Sequence, residues 1–303
     1  MNTNPTHLPT YPSTHPTPSM DRHATLRRIQ RLDPERDHQA ICHLLAGYEF
    51  PWDVTRALEV ALLRTFCIPS VSRLLDQTGE FRYHAQKRYD DTGIVVSEVL
   101  KHGYDSPRGA AFIERMNAIH RHYAIANADF LYVLSTFVYE PIRWVDRFGW
   151  RPFCEQERLA CYAFWRAIGD RMGIQDIPPT YAAFEQFNRE FEAQHFAYTP
   201  SNQRVADATR RLLLSWFPAA TRPLVDWGLP CLLDPPLLQA LGWQPTPTAV
   251  QRVAATALKA RSRLLRRLPP RTTPDFFVDQ SIRSYPEGYT VADIGPDGLR
   301  SRL

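Results

Sequence analysis

Cysteine is scarce in this sequence, with five residues among 303 and no C-x-x-C pair. This scarcity excludes a disulfide-rich scaffold and a cysteine-rich zinc site. The odd number leaves at least one cysteine without a disulfide partner. We expect all five to be small core residues in a reducing compartment: Cys42, Cys67, Cys154, Cys161 and Cys231.

Several well-marked functional signatures are also missing. The chain has no G-x-G-x-x-G or Walker loop, no G-x-S-x-G elbow and no H-E-x-x-H motif. Near the middle, the longest stretch without charge, Phe130–Tyr139, is much shorter than the roughly 20 residues that span a bilayer. The N-terminus lacks the basic and apolar regions of a signal peptide. We therefore predict a cytoplasmic protein.

The chain divides into a polar tail and a long helical region. Residues 1–20 are mostly Pro, Thr, Ser, Asn and His, which predicts a disordered tail. From Asp21 onward, apolar residues recur at three- and four-residue spacing, which predicts one all-α domain over residues 21–290 and a short tail over 291–303. The helices predicted from caps and prolines cover about 107–122 after Ser106, 127–140 before Pro141, 155–172, 180–195 with Thr180 as cap, 202–217 with Asn202 as cap, 235–241 and 248–268.

Positive charge is concentrated near the C-terminus. No acidic residue lies between Asp234 and Asp275, whereas seven basic residues lie between 252 and 271. A basic amphipathic helix of this kind indicates contact with a membrane surface or an acidic partner. The alternative is a solvated helix face, with Leu264, Leu265 and Leu268 packed beneath it. Nucleic acid is not expected, because no binding module is recognisable and the charge occupies one face only.

On a helical scaffold, chemistry commonly depends on a metal or haem held between helices. The single E-x-x-H, Glu192 to His195, lacks the second copy that a di-iron bundle requires. A better candidate begins at Arg88, which shares a helical face with Asp91 and Thr92 at the head of an apolar stripe. On the next helix His120 ends a second apolar stripe and points inward. From the residues alone, His120 is either a hydrogen-bonded core histidine or a ligand.

The region from about Arg88 to Trp165 resembles the MpaB-type oxygenase family, which includes the rubber-cleaving latex clearing proteins and a fungal oxygenase of mycophenolic acid biosynthesis. The resemblance rests on the Arg-x-x-x-Thr of Arg88 and Thr92, on MNAIHRHY around His120 and on the ADFLYVLSTF that follows. EPIRWVDRFGWRP and MGIQDIPPTYAAFEQF continue it, and together the matching segments cover roughly residues 30–290.

The resemblance implies a globin-like, all-α multi-helix bundle around a haem pocket, with haem b bound non-covalently. His120 then corresponds to the proximal iron ligand, and Arg88 and Thr92 to the distal side, where they would hydrogen-bond dioxygen. Latex clearing proteins have a lysine immediately before that threonine, where this chain has Asp91. Asp91 is either a proton acceptor in catalysis or the ion-pair partner of Arg88. Arg143 is a candidate contact for a haem propionate.

The implied activity is that of a haem-dependent oxygenase, an oxidoreductase acting with O2 on an apolar substrate, with oxidative cleavage of a carbon–carbon double bond as one form of the reaction. Phe130, Tyr132, Leu134 and Phe137 are candidate walls of an apolar pocket. Two alternatives stay open: a haem-binding carrier or sensor without turnover, and a helical interaction protein that uses the basic C-terminal helix.

Overall fold

Residues 21–300 of the computed structural model form a bundle of helices, and no β-strand occurs within that range. The prediction of an all-α multi-helix bundle is confirmed. The predicted tail over residues 1–20 lies outside the described residues. The α-helices are α1 (Ala24–Ile29), α2 (His38–Leu44), α3 (Pro51–Thr65), α4 (Pro69–Thr78), α5 (Glu80–Tyr83), α6 (Ala85–His102), α7 (Pro107–His120), α8 (Asn127–Phe148), α9 (Glu155–Arg171), α10 (Tyr181–His195), α11 (Pro200–Ser215), α12 (Arg222–Gly228), α13 (Pro235–Leu241), α14 (Thr248–Arg267) and α15 (Asp297–Arg300).

The longest helix, α8, lies at the centre of the bundle. It packs along α3 and also contacts α9, α10 and α14. The prediction that it ends before Pro141 was wrong, because the helix continues through this proline to Phe148. A proline costs a helix one backbone hydrogen bond, and here the buried side chains on both sides of it, including Val138 and Ile142, keep the helix packed in the core.

Helix ends follow local side-chain chemistry. Ser106 and Thr180 accept hydrogen bonds from the backbone N–H groups of Gly109 and Ala183, which confirms both predicted N-caps. The cap of α11 is Thr199 rather than Asn202. Asn202 is instead fully buried, where its side-chain amide donates to the carbonyls of Ala197 and Ala240. Side-chain polarity therefore located the starts of these helices to within three residues.

Helices α6 and α7 form an antiparallel hairpin that the C-terminal part of the chain covers. We define residues 276–295 as the C-terminal strap. Its residues Phe277, Ile282 and Ile294 pack in one cluster with Ile94 of α6 and Phe112 of α7. Because the strap contacts both arms, it holds them at a fixed separation.

All five cysteines are free thiols, and four of them are buried, as expected for core residues. The predicted helix over the basic segment is also present, as α14. Its Leu265 packs against the core. However, Leu264 and Leu268 are exposed, so the expectation that all three leucines lie beneath the helix was wrong.

Candidate functional site

His120 is the last residue of α7, and its imidazole lies against the ring of Phe130 on α8, with 5.3 Å between the ring centroids. Its Nδ1 is buried and has no hydrogen-bond partner among the described residues. His122, two residues later, is exposed, and its Nδ1 lies 2.9 Å from the carbonyl oxygen of Ala118. The structure therefore places His120 inside and His122 at the surface.

Burial, together with the positive charge of Arg88, lowers the pKa of His120 to about 4. The ring is thus neutral near pH 7, which is the form of histidine that binds a metal. A histidine that binds a metal commonly donates its second ring N–H to an acceptor. Residues 21–300 supply none to Nδ1, so the orientation of the ring rests on its packing against Phe130.

Arg88 and Thr92 lie one turn apart on α6 and face the His120 side of the hairpin. The Arg88 guanidinium donates to the Thr92 hydroxyl through Nη1 and lies 5.2 Å from the ring centroid of Phe81. No carboxylate oxygen among the described residues lies within ion-pair distance of Arg88. Burial lowers its pKa. A half-buried cation with spare donors is therefore available to a ligand.

Hairpin geometry explains why these residues meet. Helix α7 has 14 residues and ends at His120. Helix α6 runs in the opposite direction and ends at His102, and Arg88 lies 14 residues before that end. Since both arms rise about 1.5 Å per residue, the last turn of α7 stands beside the first turn of α6. The short turn after His102 therefore pairs His120 with the Arg88–Thr92 face.

Asp91 is not where the sequence suggested. Its carboxylate accepts hydrogen bonds from Lys87 Nζ at 2.8 Å, the Tyr285 hydroxyl at 2.5 Å and the backbone N–H of Gly295 at 3.1 Å. The expected ion pair with Arg88 is absent, because Asp91 points to the strap side of α6 and is already satisfied there. In the structure Asp91 holds the strap against α6 through its hydrogen bonds with Tyr285 and Gly295.

Sequence reasoning gave no role to the strap, yet it is the support of the site. In addition to the contacts with Asp91, the backbone N–H of Ser284 donates to Asp90 at 3.0 Å, and the Tyr289 hydroxyl donates to Glu98 at 2.5 Å. Arg115 of α7 donates to the strap carbonyls of Ile294 and Ala292 at 2.8 and 3.0 Å. Acidic residues on the outer face of an amphipathic helix were the only sequence signal for these contacts.

Arg143 lies away from His120. The two guanidinium nitrogens donate to Glu140 at 2.8 Å and to Asn188 at 2.7 Å. Along α8 it is 13 residues from Phe130, a rise of about 20 Å. The structure therefore does not bring Arg143 to the site, and a propionate contact is not supported by its position.

The E-x-x-H residues also have structural partners. Glu192 accepts from Arg64 at 3.0 Å and from Tyr132 at 3.1 Å, and His195 stacks on the Phe191 ring. Tyr132 thus belongs to this cluster and not to the wall of the His120 site. Within residues 21–300, no group of three or more His, Cys, Asp or Glu side chains is arranged to hold a metal ion.

An apolar cleft opens beside α8. Phe137 and Pro141 line it on the α8 face that also carries Phe130, and Phe137 is two turns, about 10 Å, beyond Phe130. Leu134 on the same face is buried, against Gly169 of α9. The other main walls are Leu45, Val54, Leu58, Leu100, Phe153 and Trp165. His120 and Phe130 do not line the cleft, which lies further along α8.

Comparison with known proteins identifies the family of this chain. A family model described as "ER-bound oxygenase mpaB/B'/Rubber oxygenase, catalytic domain" matches residues 54–264. The chain belongs to this family. The predicted family resemblance and the prediction of an oxidoreductase are thereby confirmed at the level of class.

Three curated relatives come from Penicillium. The chain is similar to ER-bound oxygenase mpaB' of Penicillium brevicompactum, with 29% identity over 83% of this chain and 75% of the relative. It is 30% identical to ER-bound oxygenase mpaB of the same species over 56% of this chain and 48% of the relative. It is 30% identical to ER-bound oxygenase mpaB of Penicillium roqueforti (strain FM164) over 59% of this chain and 66% of the relative. No helix in the described part of this family member is long and apolar enough to cross a membrane.

The residues at the site fit a haem. Haem iron takes four ligands from its porphyrin and needs one axial donor from the protein, most simply a neutral histidine. His120 is a neutral histidine with a buried, unpartnered ring nitrogen, and its ring packs against Phe130. The spare donors of Arg88 face the same region.

Proposed function

We propose that this chain is a haem b-dependent oxygenase that acts on an apolar substrate. The observation that carries the proposal is the neutral His120, whose Nδ1 is buried and unpartnered, within electrostatic range of a half-buried Arg88, in a chain of an oxygenase family. His120 would hold the haem iron. When bound, haem iron supplies the activation of O2 that no amino-acid side chain provides. The expected cytoplasmic location stays a prediction.

In this proposal Arg88 and Thr92 orient and polarise the oxygen reactant. Arg88 stays protonated and donates from Nε and Nη2, which have no partner among the described residues. Thr92 Oγ1 already accepts from Arg88 and donates to the Arg88 carbonyl at 3.1 Å. Rotation of this hydroxyl lets it donate to a ligand instead. Preorganised donors of this kind are worth about 10²–10³ in rate each.

The cleft on α8 would receive the substrate. Its walls are almost entirely aliphatic and aromatic, so they favour an apolar chain and exclude water from it. Cleavage of a carbon–carbon double bond by one O2 places one oxygen atom on each carbon. The reaction yields two carbonyl groups and needs no external electron donor.

Oxygen uptake and carbonyl formation test the proposal. The haem-loaded protein is incubated with a set of long-chain alkenes, and products are trapped with dinitrophenylhydrazine. We expect O2-dependent carbonyl products that Thr92→Val lowers about tenfold or more, with haem content unchanged. A haem spectrum with no oxygen-dependent product from any apolar substrate would favour the alternative of a carrier or sensor.

A further inference from the structure

Helix α14 carries an apolar stripe that faces solvent. Val253 is 69% exposed and Leu264 is 60% exposed. These positions are eleven residues apart and therefore lie within about 20° of each other around a helix. All members of the stripe are exposed: Val253, Ala257, Ala260, Leu264 and, at the helix end, Leu268.

Basic residues border this stripe along one side. Four exposed cations lie on the adjacent face, and none of them forms an ion pair with a described carboxylate: Arg252, Lys259, Arg263 and Arg267. The sequence has no acidic residue from 235 to 274. The border is therefore a continuous strip of positive charge.

The opposite side of α14 is fastened to the bundle. Arg261 forms an ion pair with buried Asp53 at 3.0 Å, Ser262 donates to the Gly149 carbonyl and Arg266 donates to the Trp150 carbonyl at 3.1 Å. These contacts fix the rotation of the helix. The apolar stripe faces outward because of them, and the helix cannot turn it inward without breaking them.

The neighbouring helix α12 extends the same kind of surface. It packs against α14 and exposes Leu224 and Trp227, at 75% and 59%. Five of the nine large hydrophobic residues exposed in residues 21–300 belong to these two helices and the residue that ends α14. Tryptophan is enriched where proteins meet the membrane–water interface.

We propose that the α12–α14 face docks on a lipid bilayer that contains anionic lipids. The apolar stripe and Trp227 enter the boundary between headgroups and acyl chains, while the basic border contacts the anionic headgroups. Charge decides this occupant: an apolar helix face with a strip of unpaired cations beside it is the pattern of an interfacial helix. This inference is independent of the haem chemistry.

Vesicle sedimentation of the full-length protein tests it. The lipids are phosphatidylcholine alone and phosphatidylcholine with 30% phosphatidylserine. We expect binding to the anionic vesicles that falls sharply in high salt. Leu264→Asp should weaken binding at least tenfold, and Lys259→Gln with Arg263→Gln about 30-fold. Tyr83→Asp and Arg189→Gln, at exposed sites elsewhere, should leave binding unchanged, and circular dichroism confirms that each variant is folded.

Three results would overturn the proposal. The first is an absence of binding to both kinds of vesicle. A protein that binds neither and instead forms a dimer that Leu264→Asp dissociates gives this result. The second is equal binding to both vesicle compositions. The third is unchanged binding when the α14 variants are folded; Val253→Asp provides a second test of the stripe if Leu264→Asp fails to fold.

Discussion

The Arg88 guanidinium is a half-buried charge without a carboxylate at ion-pair distance in the described part of the chain. Such a group contributes little to stability, because burial disfavours its charged form. We predict that Arg88→Met changes the free energy of unfolding of the haem-free protein by less than about 1 kcal/mol. The same change should lower oxygen turnover by about 10²–10³. Urea unfolding and oxygen uptake measure the two effects, and a large loss of stability would assign Arg88 a structural role.

Arg64 provides the contrast, since it is buried among three carboxylates. Its guanidinium lies 2.9 Å from Glu140 and 3.0 Å from Glu192 and also pairs with Asp234; these carboxylates raise its pKa despite burial. We predict that Arg64→Met lowers the free energy of unfolding by about 3–5 kcal/mol, because the carboxylates lose their cation. Arg189→Met, at an exposed pair, should change it by less than about 0.5 kcal/mol. Equal effects in urea unfolding would contradict this account.

Among the elements, the strap depends most on the protonation of carboxylates. Burial alone would raise the pKa of Glu98, but hydrogen bonds from Arg108 and Tyr289 outweigh it and lower the pKa below its usual 4.5. The stabilisation by Glu98 is therefore complete above about pH 4.5 and is lost as pH falls through the lowered value. We predict that the protection factors of amides in residues 276–295, corrected for the intrinsic pH dependence of exchange, fall in that range before those of α8 do.

Tyr289→Phe checks the same contact at constant pH. It removes one hydrogen-bond donor that lowers the pKa of Glu98. The loss of amide protection in the strap should therefore begin at a higher pH than in the parent protein. Tyr83→Phe, at an exposed tyrosine far from the strap, is the matched control. Strap protection factors that do not change with pH, or an unchanged onset in Tyr289→Phe, would show that carboxylates do not hold the strap.

Local chemistry made most of the helices predictable. Ser106 and Thr180 mark helix starts because their hydroxyls satisfy N–H groups that no helix turn can reach. Pro141 misled the prediction because the loss of one hydrogen bond is a local effect, whereas packing of α8 against α3 and α9 is not visible in the local sequence. The strap was missed for the same reason: Asp91 and Tyr285 are 194 positions apart.

At the scale of the whole molecule, the candidate site is the joint product of three helices. Periodicity identified His120 as inward-facing, and its proximity to Arg88 follows from the antiparallel packing of α7 on α6. The position of Asp91 and of Arg143 could not be predicted in this way. Each pairs its charge with a residue of its own helix, Asp91 with Lys87 and Arg143 with Glu140. The further hydrogen bonds that fix the two side chains come from distant parts of the chain, the strap and Asn188.

The absorption spectrum of the purified protein, expressed with a haem precursor, tests the central claim most directly. It is recorded before and after reduction with dithionite and addition of carbon monoxide. We predict a Soret band with b-type features that His120→Ala abolishes or shifts and that His122→Ala, at the exposed neighbour, leaves unchanged. A colourless protein that cannot be reconstituted with haem, or an identical spectrum in His120→Ala, would contradict the account.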